Sequence, residues 1–287
     1  MNRRWAAAGV LALWIVGLGM LVRREYIRPG LAHLAEAGAR IGPMSTYYIV
    51  ERDGRQVGFA SSIIDTAPTS FTATDRFEAD VPATRGPGTR RTTTLTTVEL
   101  SKSLRVREFE TSTASEGPTL VTKGRAEDDS AMVVTVFTGR GDSVSHRVEL
   151  SGPVLMPTLI PIGVAFSDQP KVGKRYVLPV FDPVTLSVVE TTLAIRAESV
   201  FVVSDSAVFD SAGTRLWLGV TPDTVRAWNV TPVSGHAFAE WVDDQGRVVQ
   251  SSAAGFVLRR APYEVAFENW RIASGQCRKT SALTRCN

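Results

Sequence analysis

The pattern of apolar and polar residues changes twice along this chain of 287 residues. Residues 5–22 carry no charge and are apolar on every side of a helix, and residues 28–41 then show leucine and alanine at helical spacing. From Thr46 onward the period becomes two, with Gly, Pro, Asp and Ser between the runs, as is typical of antiparallel strands. The pattern predicts one apolar helix, one short helix and a long all-β region.

The apolar stretch at residues 5–22 is long enough to cross a membrane. Its eighteen residues span about 27 Å as a helix, close to a hydrocarbon core of roughly 30 Å. Arginines stand on both sides of it, and no small-residue cleavage site follows it, as a cleaved signal peptide would require. We therefore expect an uncleaved signal anchor. A cleaved signal peptide and a helix buried in a soluble protein are the alternatives.

The location of the large region depends on weaker signals. Positive charge on both sides of the apolar stretch leaves its orientation open. The only two cysteines, Cys277 and Cys286, lie close together near the end of the chain, as a disulfide that closes a short loop in an oxidising compartment would require. Two free thiols are the alternative. We expect a single pass through the inner (cytoplasmic) membrane with the main domain outside the cytoplasm, the alternative being a cytoplasmic domain.

The β region begins with a hairpin signal at Asp53-Gly54, a pair that accepts the positive φ angles of a tight turn. The chain is predicted to divide into an anchor (1–24), a juxtamembrane helix and linker (25–44), an all-β domain (45–261) and a carboxyl-terminal tail (262–287). We expect the domain to form a large antiparallel curved sheet or open half-barrel. Its later strands are expected at residues 70–80, 91–100, 103–112, 118–126, 131–138, 143–150, 174–181, 185–197, 199–209, 215–220, 224–230, 237–243 and 247–258.

One segment of the β region, residues 152–166, departs from the alternation because it is strongly apolar. Its three prolines, Pro153, Pro157 and Pro161, exclude a long helix or a central strand. Such a segment is expected either to fill the concave side of the sheet as a core plug or to form the rim of an apolar groove. In the second case its ligand-binding residues would be Leu155, Met156, Leu159, Ile160, Ile162 and Phe166.

Composition and charge narrow the possible partners. The chain is 44% hydrophobic and 21% charged, which suits a globular protein with a sizeable core. Its net charge is only +3, and much of the excess lies in the arginines beside the apolar stretch. That placement favours anionic lipid head groups, so we expect a membrane contact through residues 5–22 and no nucleic-acid partner.

No set of residues with the spacing of a known catalytic or metal site occurs in the sequence. Its three histidines are scattered, its cysteines form no CxxC pair, and no glycine-rich loop joins a strand to a helix. We therefore expect no catalytic residues, metal or cofactor. The residues that an unusual polar site would use first are Asp182, His236 and Glu240, whereas alternation puts Asp243 on the strand face opposite Glu240.

Three short motifs carry a resemblance to known proteins. They are the run from Tyr47 to Gly58, the strand ending at Asp182-Pro183, and the segment 240–249 that begins Glu-Trp-Val-Asp-Asp. Together they resemble the all-β region that precedes the catalytic core in bacterial transglutaminase-like envelope proteins, and the layout is similar to periplasmic half-barrels of the lipoprotein-carrier type. The resemblance covers about residues 45–260 and implies a fold. It implies no activity, because the catalytic part with its Cys, His and Asp is absent.

These observations lead to an expected function of the binding or scaffolding kind. We expect a membrane-anchored, extracytoplasmic, non-enzymatic module of the cell envelope that contacts an envelope protein or holds an apolar, lipid-like ligand in the concavity of its sheet. An envelope hydrolase or transferase that uses the polar residues named above is the alternative. A purely structural subunit is the third hypothesis.

Overall fold

A computed structural model describes Gly38 and residues 41–286 except 84–87, 116, 129, 140, 168–169, 235–237, 275–276 and 280–283. The predicted anchor at residues 5–22 and nearly all of the predicted helix at 28–41 lie outside the described residues. Within the described part of the chain, no helix is both long and apolar enough to cross a bilayer.

Fourteen strands form one continuous antiparallel sheet. This result confirms the prediction of an all-β fold built on a large antiparallel sheet. The strands are β1 (Met44–Arg52), β2 (Arg55–Thr66), β3 (Ser70–Pro82), β4 (Thr89–Ser101), β5 (Val106–Ala114), β6 (Leu120–Ala126), β7 (Ala131–Phe137), β8 (Ser143–Glu149), β9 (Arg175–Asp182), β10 (Ser187–Phe209), β11 (Trp217–Pro232), β12 (Phe238–Asp243), β13 (Val248–Ala253) and β14 (Phe256–Ala261).

The strand order places the first strand of the large sheet beside the last one. Every strand pairs with its sequence neighbours except at one point, where β1 pairs with β14 and β8 and β9 become the two edges. Two further short strands, β15 (Cys277–Lys279) and β16 (Thr284–Cys286), form a separate hairpin. The sheet is therefore open, because its edge strands β8 and β9 do not pair with each other.

The sheet curls until its distant parts meet. Phe109 of β5 and Phe181 of β9 lie ten strands apart in the sheet order, which is about 48 Å in a flat sheet. Their ring centroids are nevertheless 5.5 Å apart. The main core therefore forms inside the concavity, where residues from β2 to β5 and from β7 pack with residues from β9 to β12.

Residues 154–166 occupy the centre of that concavity. Their backbone pairs with the edge strand β9, where the Leu155 amide donates to the carbonyl oxygen of Pro179 and the Phe181 amide donates to that of Leu155. A 3₁₀ helix (Pro157–Leu159) then leads into α1 (Ile160–Ser167), a short helix whose first turn accommodates Pro161. We call residues 154–166 the plug.

Strand boundaries differ from the predicted ones in the carboxyl-terminal half. The predicted breaks at residue 198 and at residues 221–223 are wrong, because β10 and β11 each run through without interruption. Glu198 stays paired with Trp228, and the indole Nε1 of Trp228 donates to the Glu198 carboxylate at 3.2 Å. Conversely, the predicted run 247–258 is two strands, since Ala254 and Gly255 both adopt positive φ and make a turn.

The outer face of the sheet carries a second layer near β1 and β2. A π-helical turn (Glu264–Glu268) and α2 (Asn269–Ala273) pack there, with the ring of Phe59 4.6 Å from that of Phe267 and 5.3 Å from that of Trp270. Residues 199–209 and 217–226 of β10 and β11 pair only with each other, and we call them the arm. Asn269 fixes the arm to this layer through two hydrogen bonds with the backbone of Trp217.

Candidate functional site

A cavity of about 300 Å³ lies between the plug and the inner face of the sheet. Its lining differs from the core around it because hydroxyl and carboxyl groups stand among the apolar side chains. The polar lining residues are Thr46, Tyr48, Ser61, Ser62, Asp75, Thr94, Thr96, Thr158, Glu240 and Ser251, and the apolar ones include Met44, Ile64, Phe77, Ile162, Val248 and Leu258.

The pairing register of the sheet brings the polar groups together. Thr46 of β1 lies opposite Ser62 of β2, Ser62 lies opposite Asp75 of β3, and Asp75 lies opposite Thr96 of β4. Successive side chains alternate between the faces of a strand, so one continuous polar row crosses four strands on the inner face. The same alternation puts Phe71 and Ala73 of β3 in the core. Asp75 is therefore an acid at a position where the strand pattern calls for an apolar residue.

Asp75 is the most unusual group in the row. The residue is half-buried, but its Oδ1 atom has essentially no accessible surface and accepts no hydrogen bond. Burial raises the pKa of its carboxyl group to about 6, and a hydrogen bond from Ser62 opposes that rise. No described residue forms a salt bridge with it.

Glu240 lines the same cavity from β12, which is three strands away from β1 in the sheet order. It is half-buried on β12, where it lies opposite Ser251 of β13, whose hydroxyl donates a long hydrogen bond of 3.5 Å to Oε1. Burial raises the pKa of Glu240 to about 7, and the negative charge of Asp75 adds to the rise. Glu240 forms no salt bridge with any described residue either, so the cavity contains two carboxyl groups that no described cation pairs with.

Tyr48 stands between these acids. It is buried on β1, and its hydroxyl is hydrogen-bonded to Thr46. Burial raises the pKa of Tyr48 above its usual value, and the charges of Asp75 and Glu240 raise it further. Tyr48 is therefore a neutral hydrogen-bonding group close to both carboxyl groups.

The cationic side chains near the cavity pair with other acids. Arg76 lies at the rim and donates to Glu78 at 2.7 Å. Arg247 also lines the cavity, but its Nε donates at 2.7 Å to Asp243, which is fully buried. Arg260 is 3.5 Å from Asp243 and pairs with Asp205 of the arm at 2.7 Å.

The plug forms the remaining wall of the cavity. Pro157, Thr158, Pro161 and Ile162 line it, and the hydroxyl oxygen of Thr158 is a buried polar atom without a hydrogen-bond partner. The wall is held against the turn between β12 and β13. At that turn Gly246 has φ +75°, and a Cβ atom there would lie only 3.0 Å from the Cα atom of Ile162.

The six apolar residues proposed from the sequence are mostly core residues. Leu155, Met156, Leu159, Ile160 and Ile162 are each at most 6% exposed and belong to the main core, while Phe166 is half-buried and packs against it. The structure therefore matches the core-plug alternative rather than the groove. Of the six, Ile162 lines the cavity.

The three polar residues proposed from the sequence do not form one site. Glu240 lines the cavity, but the carboxylate of Asp182 accepts hydrogen bonds from the Val184 amide and the Thr185 hydroxyl in the turn after β9. The strand pairing places Glu240 level with Arg175, the first residue of β9. Asp182 lies seven residues beyond Arg175 on the same strand, which is a distance of about 23 Å. His236 lies outside the described residues.

The two cysteines can be placed only by the backbone pairing. Cys277 of β15 lies opposite Cys286 of β16, and directly opposed residues in an antiparallel pair have Cα atoms about 4.5–5.5 Å apart, within the range that a disulfide spans. The disulfide stays a prediction. Among the described residues, no three His, Cys, Asp or Glu side chains group closely enough to hold a metal ion.

Sequence reasoning missed Asp75, Tyr48 and the hydroxyl row. The available signal was the alternation within β3, which reads Phe71, Ala73, Asp75, Phe77 on one face. A single acid in an otherwise apolar row marks a position where burial of a charge has a cost, and such positions are concentrated at functional sites.

Comparisons with known proteins found solved structures that are similar to this chain. No family model matches the chain, and no curated protein matches it. A solved beta-barrel-like protein of the domain of unknown function DUF1849 from Brucella abortus is similar, with 16% identity, coverage of 76% of this chain and 94% of that chain, and a TM-score of 0.47. A DUF1089 family protein from Pseudomonas aeruginosa has 12% identity, coverage of 66% and 87%, and a TM-score of 0.33. The resemblance to transglutaminase-like envelope proteins stays a prediction.

Proposed function

We propose that this chain is a binding module whose ligand site is the cavity between the plug and the polar row. The observation that carries the proposal is a space of about 300 Å³ lined by Asp75 and Thr158, each of which has a buried polar atom without a partner. Buried polar groups in proteins are almost always hydrogen-bonded. A ligand that supplies the missing partners would remove the cost of leaving these atoms unsatisfied.

The size of the cavity favours a small polar molecule over a lipid. The plug already fills the centre of the concavity, and the remaining volume is at the lower end of the range for small-molecule sites. A lipid with two acyl chains is larger than this space. The lipid-like ligand expected from the sequence is therefore the less favoured form of the proposal.

Binding is favoured over the hydrolase or transferase alternative because the polar residues that this alternative needs lie apart. Asp182 is about 23 Å along β9 from the level of Glu240, and its carboxylate accepts hydrogen bonds within its own turn. General acid–base catalysis requires groups within hydrogen-bond reach of one substrate.

The location of the module is a separate part of the proposal. We propose that residues 5–22 anchor it in the inner membrane with the sheet outside the cytoplasm, where it would bind its ligand or an envelope partner beside the bilayer. Protease added to intact spheroplasts is expected to degrade the β domain. Protection of that domain would place it in the cytoplasm instead.

The ligand site is tested by filling it. Thr96 faces the cavity and the next residue, Thr97, faces the opposite side of the same strand, so Thr96→Phe and Thr97→Phe form a matched pair. Small compounds of up to about 15 non-hydrogen atoms would be screened by ligand-observed NMR on the purified full-length protein. We expect a set of binders that Thr96→Phe loses and Thr97→Phe retains.

The screen has two results that contradict the proposal. Binders that Thr96→Phe leaves unaffected would place the site elsewhere, and an absence of binders would leave the cavity without a ligand function. Urea denaturation of both variants checks that any loss of binding comes from the filled cavity rather than from unfolding.

A further inference from the structure

We propose that the cavity takes a small organic cation, an ammonium group on a short apolar body, with Asp75 and Glu240 as its counterions. This inference rests on the proposed function and names the class of ligand for the same site. The two carboxyl groups face one cavity, and no described residue forms a salt bridge with either of them.

The balance of charge in the cavity favours a cationic ligand. A buried carboxylate without a partner is costly, and a ligand cation that pairs with it removes much of that cost. The neighbouring arginines do not play this role, because Arg76 pairs with Glu78, while Arg247 and Arg260 pair with Asp243. The cavity therefore has two carboxyl groups without a salt-bridge partner, whereas its arginines already pair with other acids.

The unpartnered hydrogen-bond acceptors of the cavity suit an ammonium group. An ammonium group donates up to three hydrogen bonds, and the Oδ1 atom of Asp75 accepts none from the protein. The buried hydroxyl of Thr158, which also lacks a partner, can accept another. Both residues line the cavity, so rotation of the Asp75 carboxyl group and of the Thr158 side chain would present these atoms to a donor that enters it.

The apolar part of the lining favours an organic cation over a metal ion. Met44, Ile64, Phe77 and Leu258 stand beside the acids and offer contact to a hydrocarbon body. A bare metal ion makes no use of these surfaces, and the described residues bring no third acid, histidine or cysteine to the pair. An ammonium with a body of a few carbons uses both the polar and the apolar parts of the lining.

Titration of the acids gives the site a pH dependence. Asp75 and Glu240 ionise with pKa values of about 6 and about 7, and an alkylammonium stays charged throughout this range because amine pKa values lie near 10. The other groups that face the acids are the neutral Tyr48 and the paired arginines described above. Binding should therefore strengthen as the pH rises from 5 to 8.

The test uses three probes with the same carbon chain. Butylammonium, butanol and butyrate would be titrated into the full-length protein at pH 8 and pH 5 and followed by ligand-observed NMR. We expect butylammonium to bind at pH 8 more tightly than butanol or butyrate, with affinity lower by roughly tenfold or more at pH 5. Calcium and magnesium chloride serve as competitors, and we expect neither to displace butylammonium at millimolar concentration.

Two nearly isosteric variants identify the counterions. Asp75→Asn and Glu240→Gln each remove one charge and are each expected to weaken butylammonium binding roughly ten- to a hundredfold. The exposed Glu190→Gln, far from the cavity on β10, is the matched control and should have no effect. Thermal unfolding of each variant shows whether it is folded. If a variant does not fold, the pH dependence of butylammonium binding to the unmodified protein still tests the role of the two acids.

Three outcomes overturn the inference in different ways. If butanol or other neutral compounds bind in the cavity as tightly as butylammonium, the ligand class is wrong and the proposed function stands. If calcium or magnesium displaces butylammonium, the site takes a metal ion. If no probe binds and the Thr96→Phe screen is also empty, the ligand class and the proposed function both fail.

Discussion

At the scale of single residues, the molecule retains two acids where apolar residues would give a more stable core. Each of them has its pKa raised by burial, so the folded state binds protons more tightly than the unfolded state does. The free energy of unfolding of the ligand-free protein should therefore be highest below about pH 4 for these groups. It should fall as the pH rises through their folded pKa values of about 6 and about 7.

Replacing Glu240 with glutamine tests this reasoning. The pKa of Glu240 rises from its ordinary value of 4.5 to about 7, and one pKa unit corresponds to about 1.4 kcal/mol. Glu240→Gln is therefore expected to raise the free energy of unfolding by roughly 3 kcal/mol at pH 8 and to change it little at pH 4. Urea denaturation at pH 4, 6 and 8 measures this, with Glu190→Gln as the control. A loss of stability at pH 8 would show that the Glu240 carboxylate has a partner in the folded protein.

At the scale of elements, the structure of the plug was only partly predictable from the sequence. The three prolines correctly excluded a long helix, and the apolar composition correctly allowed a core plug. The sequence did not reveal that the plug pairs with β9 or that it leaves a cavity, because both depend on how far the sheet curls. The predicted breaks within β10 and within β11 were wrong for a similar reason, because the pairing of these two long strands with each other keeps residues such as Glu198 in the sheet.

Position 246 tests the contact between the plug and the β12–β13 turn. Gly246 and Gly255 have similar positive φ angles, +75° and +80°, but only Gly246 has a neighbour that a Cβ atom would meet. Gly246→Ala and Gly255→Ala should share the cost of an alanine at positive φ, about 1 kcal/mol. We expect Gly246→Ala to cost a further 1–2 kcal/mol or so, because Ile162 must move.

Chemical denaturation of the two glycine variants gives the difference directly. Equal losses of stability would mean that the plug moves away from the turn without cost. In that case the wall of the cavity would be less firmly held than the 3.0 Å approach indicates.

At the scale of the whole molecule, one core joins both halves of the sheet. The main cluster contains residues from β2 to β5, from β7, from the plug and from β9 to β12. Each half therefore buries part of its apolar surface against the other. The fold class was predictable because the period of two persists through most of the chain. The curling of the sheet that forms the site was not, because it depends on contacts between strands that are distant in sequence.

Unfolding should therefore occur in a single step. The tryptophans of the described residues, Trp217, Trp228, Trp241 and Trp270, all lie in the carboxyl-terminal half, whereas far-UV circular dichroism reports on strands in both halves. We expect the two signals to give coincident transitions in urea, with midpoints equal within error. A tryptophan transition that is displaced from the circular dichroism transition would show that the halves unfold separately.

The pairing of β1 with β14 also affects how the protein is made. Its two strands are separated by about 200 residues, and a ribosome that adds 5–20 residues per second needs about 10–40 s to go from one to the other. Throughout that time the edge of β1 that will meet β14 has unpaired backbone groups, which is the kind of edge that recruits other chains. Each newly synthesised molecule thus passes through a period in which aggregation competes with folding, and a chaperone that covers an extended strand would act within it.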